Sequence, residues 1–272
     1  MSQESATPDL IELNRAFIEA ANRGDVDAFM SFFAPDAVWD NSSVGTGTFK
    51  GAAAVRGVVE DWIGVYEEFE VETEEFRDLG NGVGFGVNFQ TGRLAGSTGV
   101  VQLRQGFVAL VEGGLIQRVA TYLDPDEARA AAERLAEERE YAVSEAHLEL
   151  ARKALEQFIA TGEPVWDVTH RDVEVYDHDI MDGEDYRGHA GVVRWLEDWS
   201  SAWSEFSMEP EEFIDAGGRV VAVVRMRAKG RSSGLVLDRQ DAVVQELRDG
   251  MIVRIDYYNS RDQALKAVGL EP

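Results

Sequence analysis

One phrase in this chain comes twice. Residues 60–76 read EDWIGVYEEFEVETEEF and residues 197–213 read EDWSSAWSEFSMEPEEF. The spacing is 137, and from Val38/Val175 to Val87/Val224 it carries 18 identities, where ordinary residue frequencies give roughly three by chance. A repeat of this period is a copied domain and not the unit of a solenoid. The 272 residues therefore divide into two domains, each long enough to bury its own core.

Charge limits the partners. There are 26 basic and 51 acidic residues, a net charge of −25. Such a surface repels phosphate backbones and anionic lipid, so neither nucleic acid nor a membrane is an expected partner. The chain has no cysteine, which excludes disulfides, thiolate nucleophiles and Cys-containing zinc sites. MSQESATPDL lacks an apolar signal region, and no apolar run approaches the length of a membrane span. A cytoplasmic location is the expectation.

Residues 1–8 read as a loose tail. Asp9 opens a helix through Leu10, Leu13, Phe17, Ile18 and Ala21, closed by Gly24. A shorter helix carries Val26, Phe29, Phe32 and Phe33, and Pro35-Asp36 breaks it. Ala37 to Asp40 is a short strand and NSSVGTGT a loop. A third helix presents Val55, Val59, Trp62 and Tyr66. Four strands follow, with Asn81-Gly82 and Gly113-Gly114 as turns. The second copy repeats this order and puts Gly217-Gly218 and Asp249-Gly250 at the same turns. Helices over about 126–139 and 142–160 flank a soft point at Glu140 to Ser144, giving domains 1–140 and 141–272. The run AERLAEERE reads as a solvated helix face.

Both halves resemble the SnoaL-like polyketide cyclase group of the nuclear transport factor 2-like superfamily. The second carries the closer match, in VYDHD, YRGHAGVVRWLEDW, EFIDAGGRVVAVV and ELRDGMIVRIDYYNSRDQALKAVGL. The resemblance implies an α+β fold of two tandem cone-shaped barrel domains. In each, three helices pack against a curved, mostly antiparallel sheet, with a pocket at the wide end. It also implies pairing through outer sheet faces, as a pseudo-dimer of the two halves or a homodimer. The expected partner is a small, largely apolar molecule with one polar or anionic group. The expected chemistry is acid–base work without a cofactor (cyclisation, isomerisation or hydration), and the alternative is a non-catalytic binding or dimerisation module. Function does not follow from this fold alone.

Chemistry of that kind needs a carboxylate or imidazole in an apolar pocket, where desolvation moves its pKa toward neutrality. Asp40 and Asp177 take the same place in the repeat, as pocket-mouth groups or as caps of the turn after the strand. His178 lies between Asp177 and Asp179, but neighbouring strand residues point to opposite faces. The other histidines, His147, His170 and His189, are scattered, so no metal site is expected.

Asp256 lies mid-strand in IVRIDYY. Limonene-epoxide-hydrolase-like members of the superfamily have an acid there and pair it with an Arg-x-Asp on another strand. The nearest counterpart here is Arg225-Met226-Arg227. Asp256, Arg225 and Arg227 thus form the candidate catalytic cluster, polarising or anion-binding, or else an ion pair on the outer sheet face. Arg239 and Asp241 share one strand face, joining that cluster or pairing with each other on an exposed face. The acid the cyclases use aligns near Val243 and Phe107, neither of which moves a proton.

In the first half Ala120, Asn88 and Gln90 stand as the counterparts of Asp256, Arg225 and Arg227, so chemistry is expected in the second half. Trp62, Tyr66, Trp199 and Trp203 are pocket walls or plain core. Tyr122 and Tyr258 offer phenols to a ligand or serve an interface. GNGVGFG runs from a turn into a strand, which excludes a phosphate loop.

Overall fold

The computed structural model describes residues 9–178 and 186–271. The expectations for the tail at 1–8 and for Asp179 fall outside these. The chain divides into two compact units, Met1–Glu140 and Tyr141–Pro272. Among the described residues no helix is long and apolar enough to cross a membrane.

In the first unit, α1 (Leu10–Asn22) starts at Asp9, whose carboxylate accepts from the Ile11 backbone N–H, relieving one of the orphan donors of a helix start. α2 (Val26–Met30) is capped the same way by Asp25. β1 (Phe33–Asn41) begins two residues before Pro35, earlier than the sequence suggests. β2 (Gly47–Lys50) and α3 (Ala52–Gly64) follow, then β3 (Tyr66–Asp78), β4 (Val83–Leu94), β5 (Val100–Glu112) and β6 (Leu115–Tyr122). The sheet order is β2-β1-β6-β5-β4-β3; β1 and β6 run parallel and every other pair antiparallel.

α4 (Pro125–Thr161) is one unbroken helix of 37 residues. The soft point at 140–144 is not a break: Glu140, Tyr141, Ala142 and Val143 carry no Gly or Pro to interrupt the hydrogen-bond ladder. The second unit continues with β7 (Thr169–Asp177), β8 (Tyr186–Arg187), α5 (Gly188–Ser201), β9 (Trp203–Asp215), β10 (Arg219–Gly230), β11 (Val236–Arg248), β12 (Met251–Tyr258) and α6 (Arg261–Ala267). Its sheet repeats the order, β8-β7-β12-β11-β10-β9. Each half is the α+β cone.

Both sheets are apolar on two faces. In the first unit the inner face holds Trp39, Ala109, Val111, Ile116 and Val119 against α1, α2 and α3. The outer face sets Val83, Phe85, Val87 and Val108 against Ala128 and Ala132 of α4. In the second unit Trp195 and Trp199 of α5 meet Met226, Val243 and Tyr257 inside. Outside, Val221, Val223, Ala242 and Val244 meet Ala264 and Leu265 of α6.

Pairing refines the repeat. Phe33 pairs with Ile116 and Thr169 with Ile252, so the first strands correspond at a spacing of 136. Gly51 and Gly188, the glycines at positive φ that open the third helices, still correspond at 137. From β4 onward the spacing is 136 again: Val83 faces Leu110 and Arg219 faces Glu246. The second half has one residue more after its first strand and one fewer in its β9–β10 turn. Side chains alternate along a strand, so each slip exchanges the faces of the residues it moves. The sequence alignment at 137 thus misplaces the strands on both sides of the helix.

The turn glycines test this correspondence. Gly82 and Gly218 take the same place, each accepting from the β5 or β11 chain end (Val111 N–H 2.8 Å, Leu247 N–H 3.0 Å) at positive φ. A Cβ on Gly82 would lie 2.1 Å from the Val111 carbonyl oxygen, whereas one on Gly218 meets nothing within 4 Å. Gly218→Ala should destabilise its unit by roughly 1–2 kcal/mol, the left-handed backbone cost alone. Gly82→Ala should cost clearly more. Calorimetric unfolding of the two variants checks the order.

Candidate functional site

The inner face of the second half gathers the groups that bear on function. β11 points Arg239, Asp241, Val243, Gln245 and Leu247 inward, and β12 adds Tyr257, which pairs with Val243. Tyr257 and Val243 join Trp195, Trp199, Leu155 and Ile255 around a cavity of about 80 Å³. By this measure a single water needs ~10–15 Å³, so there is room for several ligand atoms. The walls are almost wholly apolar, and Gln245 is their one buried carboxamide. Its Oε1 is enclosed and finds no hydrogen-bond partner in the protein. An acceptor left so is costly, on the order of 1–3 kcal/mol.

Asp241 lies deeper along the same face, with no exposed surface. Arg239 donates to it twice, Nε at 2.6 Å and Nη2 at 3.3 Å, and the Tyr257 hydroxyl donates to Oδ2. Burial raises the Tyr257 phenol well above the ordinary tyrosine range, and the Asp241 carboxylate pushes the same way. The phenol keeps its proton and donates it in a hydrogen bond to the Asp241 carboxylate. Arg239 and Asp241 therefore pair with each other inside the cone, neither on an exposed face nor with Asp256. An Arg-x-Asp does sit on the strand beside β12, at Arg239-Gln240-Asp241 instead of 225–227. It faces Tyr257.

Asp256 is on the opposite face. There β12 turns Arg254, Asp256 and Tyr258 outward beside Val244 and Val268. Asp256 accepts from Arg254 (2.6 and 2.8 Å) and contacts His178 Nε2 at 2.8 Å. His178 stacks on the Tyr258 ring at 4.3 Å between centroids, and Arg254 lies over Tyr176 at 4.1 Å. Burial works to raise the Asp256 pKa, but the hydrogen bonds from Arg254 and His178 outweigh it and hold the carboxyl below its usual range. Burial also raises Tyr258. His178 is thus a specific partner of Asp256.

Arg225 and Arg227 take no part in that cluster. Both point outward from β10, Arg225 to Asp238 and Arg227 to Glu209 at 3.3 Å. Because the β9–β10 turn is one residue shorter than its first-half counterpart, their first-half equivalents are Phe89 and Thr91 and not the inward Asn88 and Gln90. The proposed catalytic trio of Asp256, Arg225 and Arg227 is not a trio.

Asp40 and Asp177 are not counterparts either: β1 and β7 correspond at 136, which puts Tyr176 in the place of Asp40. Asp40 caps its turn, accepting from Ser42 N–H (3.1 Å), Ser42 Oγ (2.6 Å) and Thr48 Oγ1 (3.1 Å), with Arg118 at 2.8 Å. The Ser42 hydroxyl leads in lowering its pKa to about 2. Asp177 stands one register place further, faces inward, and accepts from Trp195 Nε1 at 2.9 Å. Trp62 and Trp199 line the two inner cavities. Tyr66 and Trp203 do not: α3 and α5 stop at Gly64 and Ser201, so both open the next strand. Tyr122 packs on the outer face near Phe85.

The first half has a smaller cavity, about 50 Å³, lined by Trp39, Trp62, Phe107, Asn88 and Thr121 among others. Its polar groups serve each other. Thr73 donates to Asn88 at 3.1 Å, Trp39 Nε1 to Thr121 at 3.0 Å, and Trp62 Nε1 to Gln90 at 3.0 Å. Ala109, Gln105 and Thr121 stand where the second half has Gln245, Asp241 and Tyr257. Among the described residues no group of three or more His, Asp or Glu is placed to hold a metal ion.

Gln245, Tyr257 and Trp195 were not singled out from sequence. Gln245 sits between inward Val243 and Leu247, so a polar residue at the apolar phase of a strand was the signal. Trp195 and Trp199 are four apart on one helix.

Two expectations follow. Asp241→Ala, which leaves Arg239 without its carboxylate inside the cone, should destabilise the second unit by about 3–5 kcal/mol in denaturant unfolding. For Asp256 the folded pKa is the lower one. Its stabilisation is complete above the unfolded pKa and is lost as pH falls through that value toward the folded one. Asp256→Asn should flatten this acid-side decline below the ordinary carboxylate range in a pH series of melts.

The SnoaL-like domain model matches the chain at residues 14–119 and again at 152–255. No curated protein matches in sequence. Among solved structures, a Mycobacterium tuberculosis protein in complex with estradiol-17β-hemisuccinate is 18% identical over 43% of this chain and 94% of its own, with a TM-score of 0.38. An M. tuberculosis LEH-like epoxide hydrolase is 20% identical over 46% and 89%, TM-score 0.37. A putative polyketide cyclase from Sinorhizobium meliloti is 19% identical over 43% and 98%, TM-score 0.35. With one matched copy in each half, the chain belongs to the SnoaL-like domain family.

Proposed function

We propose that the second half binds a small, largely apolar molecule in its cone, and that the first half is its structural counterpart. The observation that carries this is Gln245. Its carboxamide is buried among apolar walls with an oxygen that no protein group satisfies. A ligand that fills the cavity and offers one hydrogen-bonding group answers both features. The apolar residues of the first-half cavity have no such group in the place of Gln245, which is Ala109.

A second reading is acid–base chemistry, of the cyclisation, isomerisation or hydration type. It is favoured by Tyr257, whose ring walls the cavity while its hydroxyl donates to the buried Asp241. That route requires the Tyr257 hydroxyl to turn its hydrogen bond from Asp241 to the ligand. Binding alone requires nothing of the kind, and it is the reading the geometry supports first.

Titration of the whole chain with cyclohexanol and with methylcyclohexane, followed by tryptophan fluorescence, tests this. Both should bind saturably, the alcohol more tightly. Gln245→Leu should reduce that preference by roughly five- to tenfold, the worth of one hydrogen bond. A preference that survives Gln245→Leu, or no saturable binding by either probe, would overturn the reading. Tyr257→Phe should leave binding of methylcyclohexane in place.

A further inference from the structure

Beside the inner cavity of the second half lies a broader groove of about 850 Å³, and the two share Phe158, Pro164, Leu196, Trp199 and Met208 in their linings. The groove adds the faces of Trp166 and Phe206. Its charged lining residues are Glu163 and Glu197, and among the described residues no Lys, Arg or His lines groove or cavity.

Both carboxylates are exposed, Glu163 just after α4 and Glu197 on α5, so their charge faces the groove from its rim. Among the described residues neither Glu163 nor Glu197 has a cationic partner within ion-pair distance. They flank aromatic rings whose π faces attract a cation. The chain's net charge of −25 adds a field of the same sign.

From this we infer that the ligand is a small hydrophobic amine, bound as its ammonium. The inference rests on the small-molecule reading above and narrows it. The ammonium stays in the groove, between the carboxylates and the faces of Trp166 and Trp199. It keeps part of its water there, so no bare charge enters the dry cavity. The apolar body goes inward, and its far end reaches toward the Gln245 carboxamide. A carboxylate ligand has the opposite fate: it meets two like charges at the mouth and no cation inside. The sequence-based expectation of an anionic group on the ligand is therefore replaced by a cationic one.

The test uses three probes of one shape on the whole chain: cyclohexylmethylamine, cyclohexylmethanol and cyclohexanecarboxylate, by calorimetry at neutral pH. The amine should bind roughly fivefold tighter than the alcohol, and the carboxylate at least about tenfold weaker, both differences shrinking at high salt. In the isosteric double variant Glu163→Gln/Glu197→Gln the amine-to-alcohol ratio should fall to near one. If the alcohol binds and the amine shows no advantage, or the advantage survives the double variant, the amine assignment is overturned while the pocket stands. If none of the three binds, the pocket itself is refuted.

Discussion

Strand alternation governs this molecule. A six-stranded sheet has two faces, and each residue belongs to one of them by parity alone. In both halves both faces are covered, the inner one by α1–α3 or α5, the outer one by the start of α4 or by α6. Register is held under such double cover, because a slip would exchange the side chains fitted to two different helical covers. Where the two copies differ in length, the change is confined to a turn or a loop, and the strand beyond it re-enters with a new parity. That is how Asp40 caps a turn on the outer side while Asp177, its neighbour in the aligned sequence, reaches Trp195 inside.

Parity also sorts the second half's charges into two networks that share a strand but not a face. Asp256 and Tyr257 are consecutive, and they point to opposite sides of β12. Outside, Asp256 is held by Arg254 and His178, partly wet, at a cavity edge. Inside, Asp241 is wholly buried and satisfied by Arg239 and Tyr257. Burying a carboxylate is tolerable only with such partners. Their cost is that Asp241 has little left to offer a ligand. A fully satisfied network rigidifies the wall of the cavity and leaves recognition to Gln245, whose amide has no such commitments.

The architecture was readable because duplication exposes it. Equal turn signals at Asn81-Gly82 and Gly217-Gly218, and one tryptophan of each pair on the third helix, recur at nearly constant spacing. The family resemblance then supplied the cone. The candidate site was read less well, for one physical reason: the spacing of 137 is right for α3 and β3 and wrong by one on either side. One residue is enough to exchange inside for outside. It equated Asn88 and Gln90 with Arg225 and Arg227, whereas Asp256 was grouped with those arginines by the family's Arg-x-Asp pattern, which in this chain falls at 239–241. Tyr66 and Trp203 were placed on helices because their i, i+4 spacing continues the helical pattern, although the chain has already turned into a strand. His178 was underrated since its partner lies 78 residues away, a distance over which local pattern is silent. Gln245 was visible in principle as a polar residue in an apolar phase.

The comparison of the halves makes the physical case for where function sits. The two cones have the same strand order, so side chains at matching strand places can be compared directly. In the first, aromatic packing is dense: Phe17, Phe29, Phe33, Trp39 and Trp62 form a continuous chain of ring contacts between 4.1 and 6.4 Å. Its tryptophan N–H groups are answered by Thr121 and Gln90. Such a core comes close to the packing that stability alone asks for, and its one orphan amide oxygen among the described residues, Asn41 Oδ1, sits at the end of β1 and not among the residues lining the cavity. The second cone has the larger cavity, an unanswered amide within it and unpaired acids at its mouth. The larger cavity and the orphan oxygen work against stability, and they sit together on the inner face beside the acid-rimmed groove. A site shaped to receive a molecule has reason to keep them.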